Sequence, residues 1–198
     1  ETRPYSIWKD TPRFVRMRAS YPEIPNAKAV DPEHIRDLTA YLGEDGSLVW
    51  DVPPGEWTIM RFVARLTGQT TRPAPEPGHG FETDKFEAAA FRDHWKHYQG
   101  RLLEKVDPGS GERGWTRIHL DSWEMSSQNW SAGFRRAFRE RRGYDPLPWF
   151  PAWTGKVVGS LEATERFLWD LRKTAQELVP EEHTRTIERE DEFRAWFA

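Results

Sequence analysis

The chain has 198 residues, with 29 Lys and Arg against 32 Asp and Glu, a net charge of −3 and no cysteine. That balance excludes a dedicated nucleic-acid binder, whose affinity rests on clustered positive charge, and the missing Cys excludes disulfides and thiolate chemistry. No apolar run approaches the ~18 residues of a membrane span.

Residues 1–30 hold Pro4, Pro12, Pro22 and Pro25 without a helical period. Tyr5-Ser-Ile-Trp-Lys9 and Phe14-Val-Arg-Met-Arg18 are strand-like. Asp31-Pro-Glu-His starts one helical turn or leads into a loop. Gly43-Glu-Asp-Gly46 is a turn, followed by a strand over 47–52. Trp57-Thr-Ile-Met-Arg-Phe-Val-Ala-Arg65 is the most persuasive strand in the sequence. Residues 1–69 therefore read as a β-rich region with Pro/Gly turns.

The stretch from Leu66 to Gly80 is rich in Pro, Gly and Thr, as in a linker or a functional loop. Beyond it the period becomes helical. Phe86, Ala89, Ala90, Trp95, Tyr98, Leu102 and Leu103 predict a helix over 85–105. Trp115-Thr-Arg-Ile-His-Leu120 predicts a short strand. A second helix is expected over 129–142, with Trp130, Phe134, Ala137 and Phe138 on one side and Gly143 as its C-terminal cap. Residues 144–154 are rich in Pro and aromatics. A third helix is expected over 161–179, striped by Phe167, Leu168, Leu171, Ala175 and Leu178. Residues 181–198 form a divergent charged tail. The fold class expected is α/β, a β-rich N-terminal region (1–69) followed by part of a (β/α)₈ barrel (70–198). A whole barrel typically needs about 250 residues, so the barrel is incomplete in this chain.

Eleven Trp, eleven Phe and five Tyr stand out in the composition. Aromatic rings fill cores, and flat ones also stack on the C–H faces of sugars. His119-Leu-Asp-Ser-Trp-Glu124 runs a short strand into two carboxylates with a Trp between them. Barrel enzymes keep their catalytic groups at such strand ends. Glycoside hydrolysis needs paired carboxylates, one of them protonated, and a neighbouring Trp raises a carboxyl pKa by desolvation. The alternative is that Asp121 caps a turn and Glu124 is solvated. Gly78-His-Gly-Phe-Glu-Thr-Asp-Lys85 gathers two carboxylates and an ammonium in a glycine-bearing loop. It suits sugar hydroxyls or a hard cation such as calcium, or it is a helix start whose acids meet the positive dipole end. His94 and His97 make no metal motif, and the arginines of 135–142 read as a solvated helix face.

Several blocks together resemble glycoside hydrolase family 106, the α-L-rhamnosidases. They are Trp57-Thr-Ile-Met-Arg-Phe, Thr67-Gly, Pro73-Ala-Pro, Gly80-Phe-Glu-Thr-Asp-Lys-Phe86, Asp121-Ser-Trp-Glu124, Gln128-Asn-Trp130, Arg141-Arg-Gly-Tyr-Asp145 and Glu165-Arg-Phe-Leu-Trp-Asp-Leu-Arg172. The resemblance implies a large bacterial enzyme, secreted or periplasmic, with a (β/α)₈ core, calcium dependence and an inverting mechanism on rhamnose-containing oligo- or polysaccharide. It gives Glu124 the general-acid role, with Asp121 orienting the sugar or holding Glu124. Glu82, Asp84 and Lys85 would line the same cleft, and Trp123, Asn129 and Trp130 would bind or pack against substrate. Phe81 stands where the family has Leu. The second carboxylate, about 6.5–9.5 Å from the first in an inverting enzyme, is not found here and is expected beyond residue 198. The chain thus reads as an interior excerpt, with the remaining barrel segments of the parent chain as its partners. A sugar-binding protein without hydrolysis and an inactive truncated chain are the rival readings.

Overall fold

A computed structural model describes residues 29–71, 74–105 and 128–185. These residues form two compact groups, 29–63 with 135–172, and 64–71, 74–105 and 128–134 with 173–185. The elements are mainly helical, with one small sheet. β1 (Ala29–Val30) pairs in parallel with β2 (Val157–Val158), Ala29 opposite Val157 and Val30 opposite Val158. Gly159 N then donates to Val30 O at 2.8 Å.

In the first group, Asp31 begins a single 3₁₀ turn, Pro32–His34, by accepting from Glu33 N at 2.9 Å. Asp37 does the same for Thr39 N ahead of Thr39–Tyr41. The Gly43 to Gly46 turn forms as expected. Gly46 takes φ +82°, and Gly43 N donates to Ser47 O. The strand expected over 47–52 shrinks to one antiparallel bridge, Leu42 to Leu48.

Residues 57–65, expected as a strand, form no β-bridge. Ile59 and Val63 are exposed. β-propensity reports a fit to a half-buried pleated surface, and among the described residues no strand lies alongside this run. The only β-structure between residues 29 and 69 is β1 and the single bridge at Leu42.

The core of this group is aromatic. α3 (Phe134–Arg142) ends at Gly143, whose φ of +78° and N–H bond to Arg139 O close the helix. From it, buried Phe138 meets Tyr144 at 5.0 Å and Phe167 at 6.1 Å. Trp149 stacks on Phe167, and Phe150 stacks on Trp153. The Pro- and aromatic-rich stretch is a 3₁₀ helix, Leu147–Thr154, stopped by left-handed Gly155. Each fully buried Phe of this kind stabilises by about 1.5–3 kcal/mol relative to exposure.

α4 (Leu161–Leu178) matches its predicted range within a residue. Its buried stripe is Thr164, Phe167, Leu171, Thr174 and Leu178, an i, i+3, i+4 spacing. Two of its members are Thr, which a hydropathy pattern passes over. Thr164 Oγ1 accepts from Val158 N at 2.9 Å and donates to Val158 O at 3.0 Å, so a hydroxyl pins the helix start to β2.

In the second group, α1 (Ala88–Trp95), a π turn (Lys96–Gly100) and α2 (Arg101–Leu103) make the expected first helix, three residues late at its start. Phe91 and Trp95 are buried, while Tyr98 and Leu102 are exposed. Phe134 packs between Phe86 (5.6 Å) and Trp130 (5.0 Å). α1 also packs on the π turn Val179–Thr184. The strand expected over 115–120 lies outside the described residues.

Candidate functional site

The Pro/Gly-rich connection closes on itself. Thr70 bridges Phe81, and Thr71 N donates to Gly80 O at 2.9 Å. The chain thereby enters Glu82 from a fixed direction. Glu82, Thr83, Asp84 and Lys85 are all half-buried.

Two side-chain arrangements hold this turn. Lys85 Nζ donates to Glu82 Oε1, with the two side chains 14% and 30% exposed. Asp84 Oδ1 accepts from Phe86 N at 2.9 Å, an Asx turn that leads toward α1. The same oxygen accepts from Gln128 Nε2. Gln128 Oε1 accepts from Lys85 N at 2.9 Å, and its Nε2 also reaches Trp130 O at 3.4 Å. A primary amide presents both an acceptor and donors on one planar group. Gln128 therefore binds a backbone N–H and a carboxylate at once, across more than forty positions of sequence.

A second latch lies one residue beyond Phe86. Glu87 Oε1 accepts from Gly133 N at 2.8 Å and Ser131 Oγ at 3.3 Å, just ahead of α3. A Cβ at Gly133 would stand 2.5 Å from that oxygen, so only glycine leaves the carboxylate its place.

The structure thus brings Glu82, Asp84, Lys85 and Trp130 together around Gln128. Trp130 is half-buried and packs on Phe134, while Asn129 is exposed. Asp121, Trp123 and Glu124 lie outside the described residues. Gln128 and Glu87 were not singled out by the sequence, although both stand in or beside recognised blocks. Their value arises from partners far away in the chain, and local spacing carries no signal of that.

No three His, Asp or Glu side chains among the described residues converge on one point, and Asp84 and Glu82 already have partners. His97 Nδ1 lies 2.8 Å from Asp93 O and 3.3 Å from Asp93 Oδ1, all on an exposed helix face. Among the described residues no helix is long and apolar enough to cross a membrane.

The arginine face of α3 is more than solvated surface. Arg135 grips Asp145 with two bonds, Nε to Oδ1 at 2.9 Å and Nη2 to Oδ2 at 2.7 Å, and lies 3.6 Å from Asp37. The Arg135 hydrogen bonds hold the Asp145 carboxyl below its ordinary pKa, helped by Leu147 N. Bonds from Thr39 lower Asp37 first of all, with Arg135 adding its charge. Burial, then the bond to Asp170 at 2.9 Å, raises the Tyr144 phenol.

Comparison with known proteins agrees with the blocks read from the sequence. The family described as α-L-rhamnosidase, glycoside hydrolase family 106, matches residues 2–196. A protein of Formosa agariphila, named as a candidate β-glucuronidase, is 38% identical over 159 residues. That match covers 79% of this chain and 13% of the relative. The solved structure of a rhamnosidase from Novosphingobium sp. PP1Y superposes with a TM-score of 0.71 at 35% identity, over 85% of this chain and 16% of that one. The chain therefore spans under a fifth of the length of either.

Proposed function

The chain belongs to the α-L-rhamnosidase family of glycoside hydrolases, and from that premise we propose that it is one part of an enzyme that hydrolyses α-L-rhamnosidic bonds with inversion. The match over residues 2–196 carries this reading, because it spans the Glu82–Lys85 loop and the Asp121-Ser-Trp-Glu124 block together. Glu124 protonates the leaving glycosidic oxygen, and Asp121 orients it. A carboxylate elsewhere in the parent enzyme removes a proton from water on the opposite face of the sugar. The Lys85–Glu82 pair donates to and accepts from sugar hydroxyls, and Asp84 with Gln128 holds that pair in place. Trp123, Asn129 and Trp130 complete the lining. The enzyme works outside the cytoplasm, where polysaccharide is met.

The test is Glu124→Gln in the full-length protein, assayed on an aryl α-L-rhamnoside. Turnover should fall by about 10²–10⁴ with an unchanged melting temperature. Undiminished turnover would remove Glu124 from the reaction, and saturable sugar binding without any product in the unmutated full-length protein would make this a binding protein. The name of the Formosa agariphila relative supports a second specificity, for uronides. Lys85 is the half-buried cation that a sugar carboxylate would meet. Parallel assays on aryl α-L-rhamnoside and aryl β-D-glucuronide separate the two.

A further inference from the structure

Residues of the first group line a cavity of about 760 Å³, open to solvent on one side, that uses none of residues 82–85. That volume lies within the ~300–1,000 Å³ range of small-ligand sites. Trp50, Trp57, Phe62 and Phe150 line it. Trp57 and Phe62 each keep 37% of their surface exposed. Trp57 is held in one orientation from three sides. Its Nε1 donates to Pro53 O at 2.9 Å, Trp50 meets it edge-on at 5.3 Å, and the Arg36 guanidinium sits 5.1 Å from the ring centroid. Phe62 packs edge-on against Phe150 at 5.2 Å. Rings fixed in advance lose little entropy when a ligand stacks on them.

The charges at the cavity are also uneven. Arg36, Arg61 and Lys156 line it, against Asp37 and Glu56. Asp37 is already engaged by Thr39 N and Arg135. Arg61 lies over Gly46, where a Cβ would come within 3.0 Å of its Nη2, so the glycine makes room for the guanidinium. Neither Arg36 nor Arg61 has a carboxylate partner among the described residues. A positive balance here contrasts with the chain's net charge of −3.

We propose that this cavity is a second carbohydrate site, which takes an acidic oligosaccharide. The rings receive the C–H faces of the sugar, and the two arginines take its uronate carboxylates through paired N–H···O bonds. The choice of sugar rests on the glycoside-hydrolase membership, but the site's existence does not depend on turnover.

Isothermal titration of the 198-residue chain with tetragalacturonate, with cellotetraose as the neutral probe, tests it. Saturable binding of the acidic probe alone is expected, weakening as salt rises. Arg61→Ala, an exposed substitution, should weaken it about tenfold, the loss of one charge-assisted bond. Glu162→Gln, an exposed change on α4 outside the cavity lining, should leave it unchanged. A circular-dichroism melt of each variant, including Trp57→Ala, separates lost binding from lost fold. Equal affinity for both probes, no saturable binding, or unweakened binding in Arg61→Ala would overturn the proposal. So would binding by this chain that vanishes in the full-length protein, since the cavity would then be filled by protein. A failed rhamnoside assay leaves these outcomes untouched.

Discussion

Gln128 ties two distant stretches with a single planar amide, and its removal has a definite cost. Gln128→Ala leaves Lys85 N–H without its acceptor in a half-buried turn and takes from Asp84 Oδ1 one of its two donors, Phe86 N remaining. Each lost bond of this kind costs about 1–3 kcal/mol when the group stays dry, so the melting temperature should fall by several degrees. Gln128→Glu should be worse at neutral pH, because a carboxylate then faces Asp84, and should recover as the pH drops below about 4. Thermal melts of both variants at two pH values check the order. At Asp145 the sign of the pH effect follows from its lowered pKa. A carboxyl whose folded-state pKa lies below its unfolded value adds stability above the unfolded pKa, near 3.8 for an aspartate. That stability disappears as pH falls through the folded pKa. Stability should therefore decline from pH 5 toward pH 2, and less steeply in Asp145→Asn. An equal slope in the two proteins would mean that the Arg135 pair contributes nothing. With both side chains about a third exposed, water screens the pair and the effect is modest.

Among the elements, α4 has the most informative face. Its stripe includes two fully or nearly fully buried threonines, and Thr164 bonds both backbone groups of Val158. Thr164→Val keeps the volume and deletes the hydroxyl. It leaves a buried N–H and a buried C=O unmatched, at about 1–3 kcal/mol. Thr164→Ser keeps the hydroxyl and loses one methyl, and should cost less. Urea unfolding of the two variants should place Val below Ser, the reverse of what a hydrophobic-core position gives. The helices as a class follow their apolar period because each i→i−4 bond is internal to the segment. Residues 57–65 have the composition of a strand, but a ladder bond needs a second chain segment, and among the described residues none pairs with them.

For the molecule as a whole, the core and the exposed apolar surface are unevenly distributed. Phe138, Phe167 and Val158 are almost wholly buried, whereas Val49, Val63 and Leu66 are 68–78% exposed. Exposed apolar residues of high β-propensity on an unpaired extended run invite association between copies. Val63→Lys with Leu66→Lys should raise the solubility of the 198-residue chain and leave its melting temperature within about 1–2 °C, since neither side chain contributes to the core. Light scattering against concentration, beside a melt, measures both. A large loss of stability would show that the two side chains are packed in solution.

Much of this protein was readable before any coordinate. The third helix, the Gly143 cap, the Gly43 to Gly46 turn and the family blocks are local features, written in periods of 3.6, in φ-permissive glycines and in motif order. The tertiary structure alone decided which candidate side chains meet. It joined Gln128 to Asp84 and Lys85, Glu87 to Gly133, and Arg135 to Asp145, pairs whose attraction depends on distance in space and not on separation along the chain. It also decided that Thr164 and Thr174 belong to a buried face, and for Thr164 the hydroxyl is at home there because Val158 supplies both its hydrogen-bond partners from outside the helix.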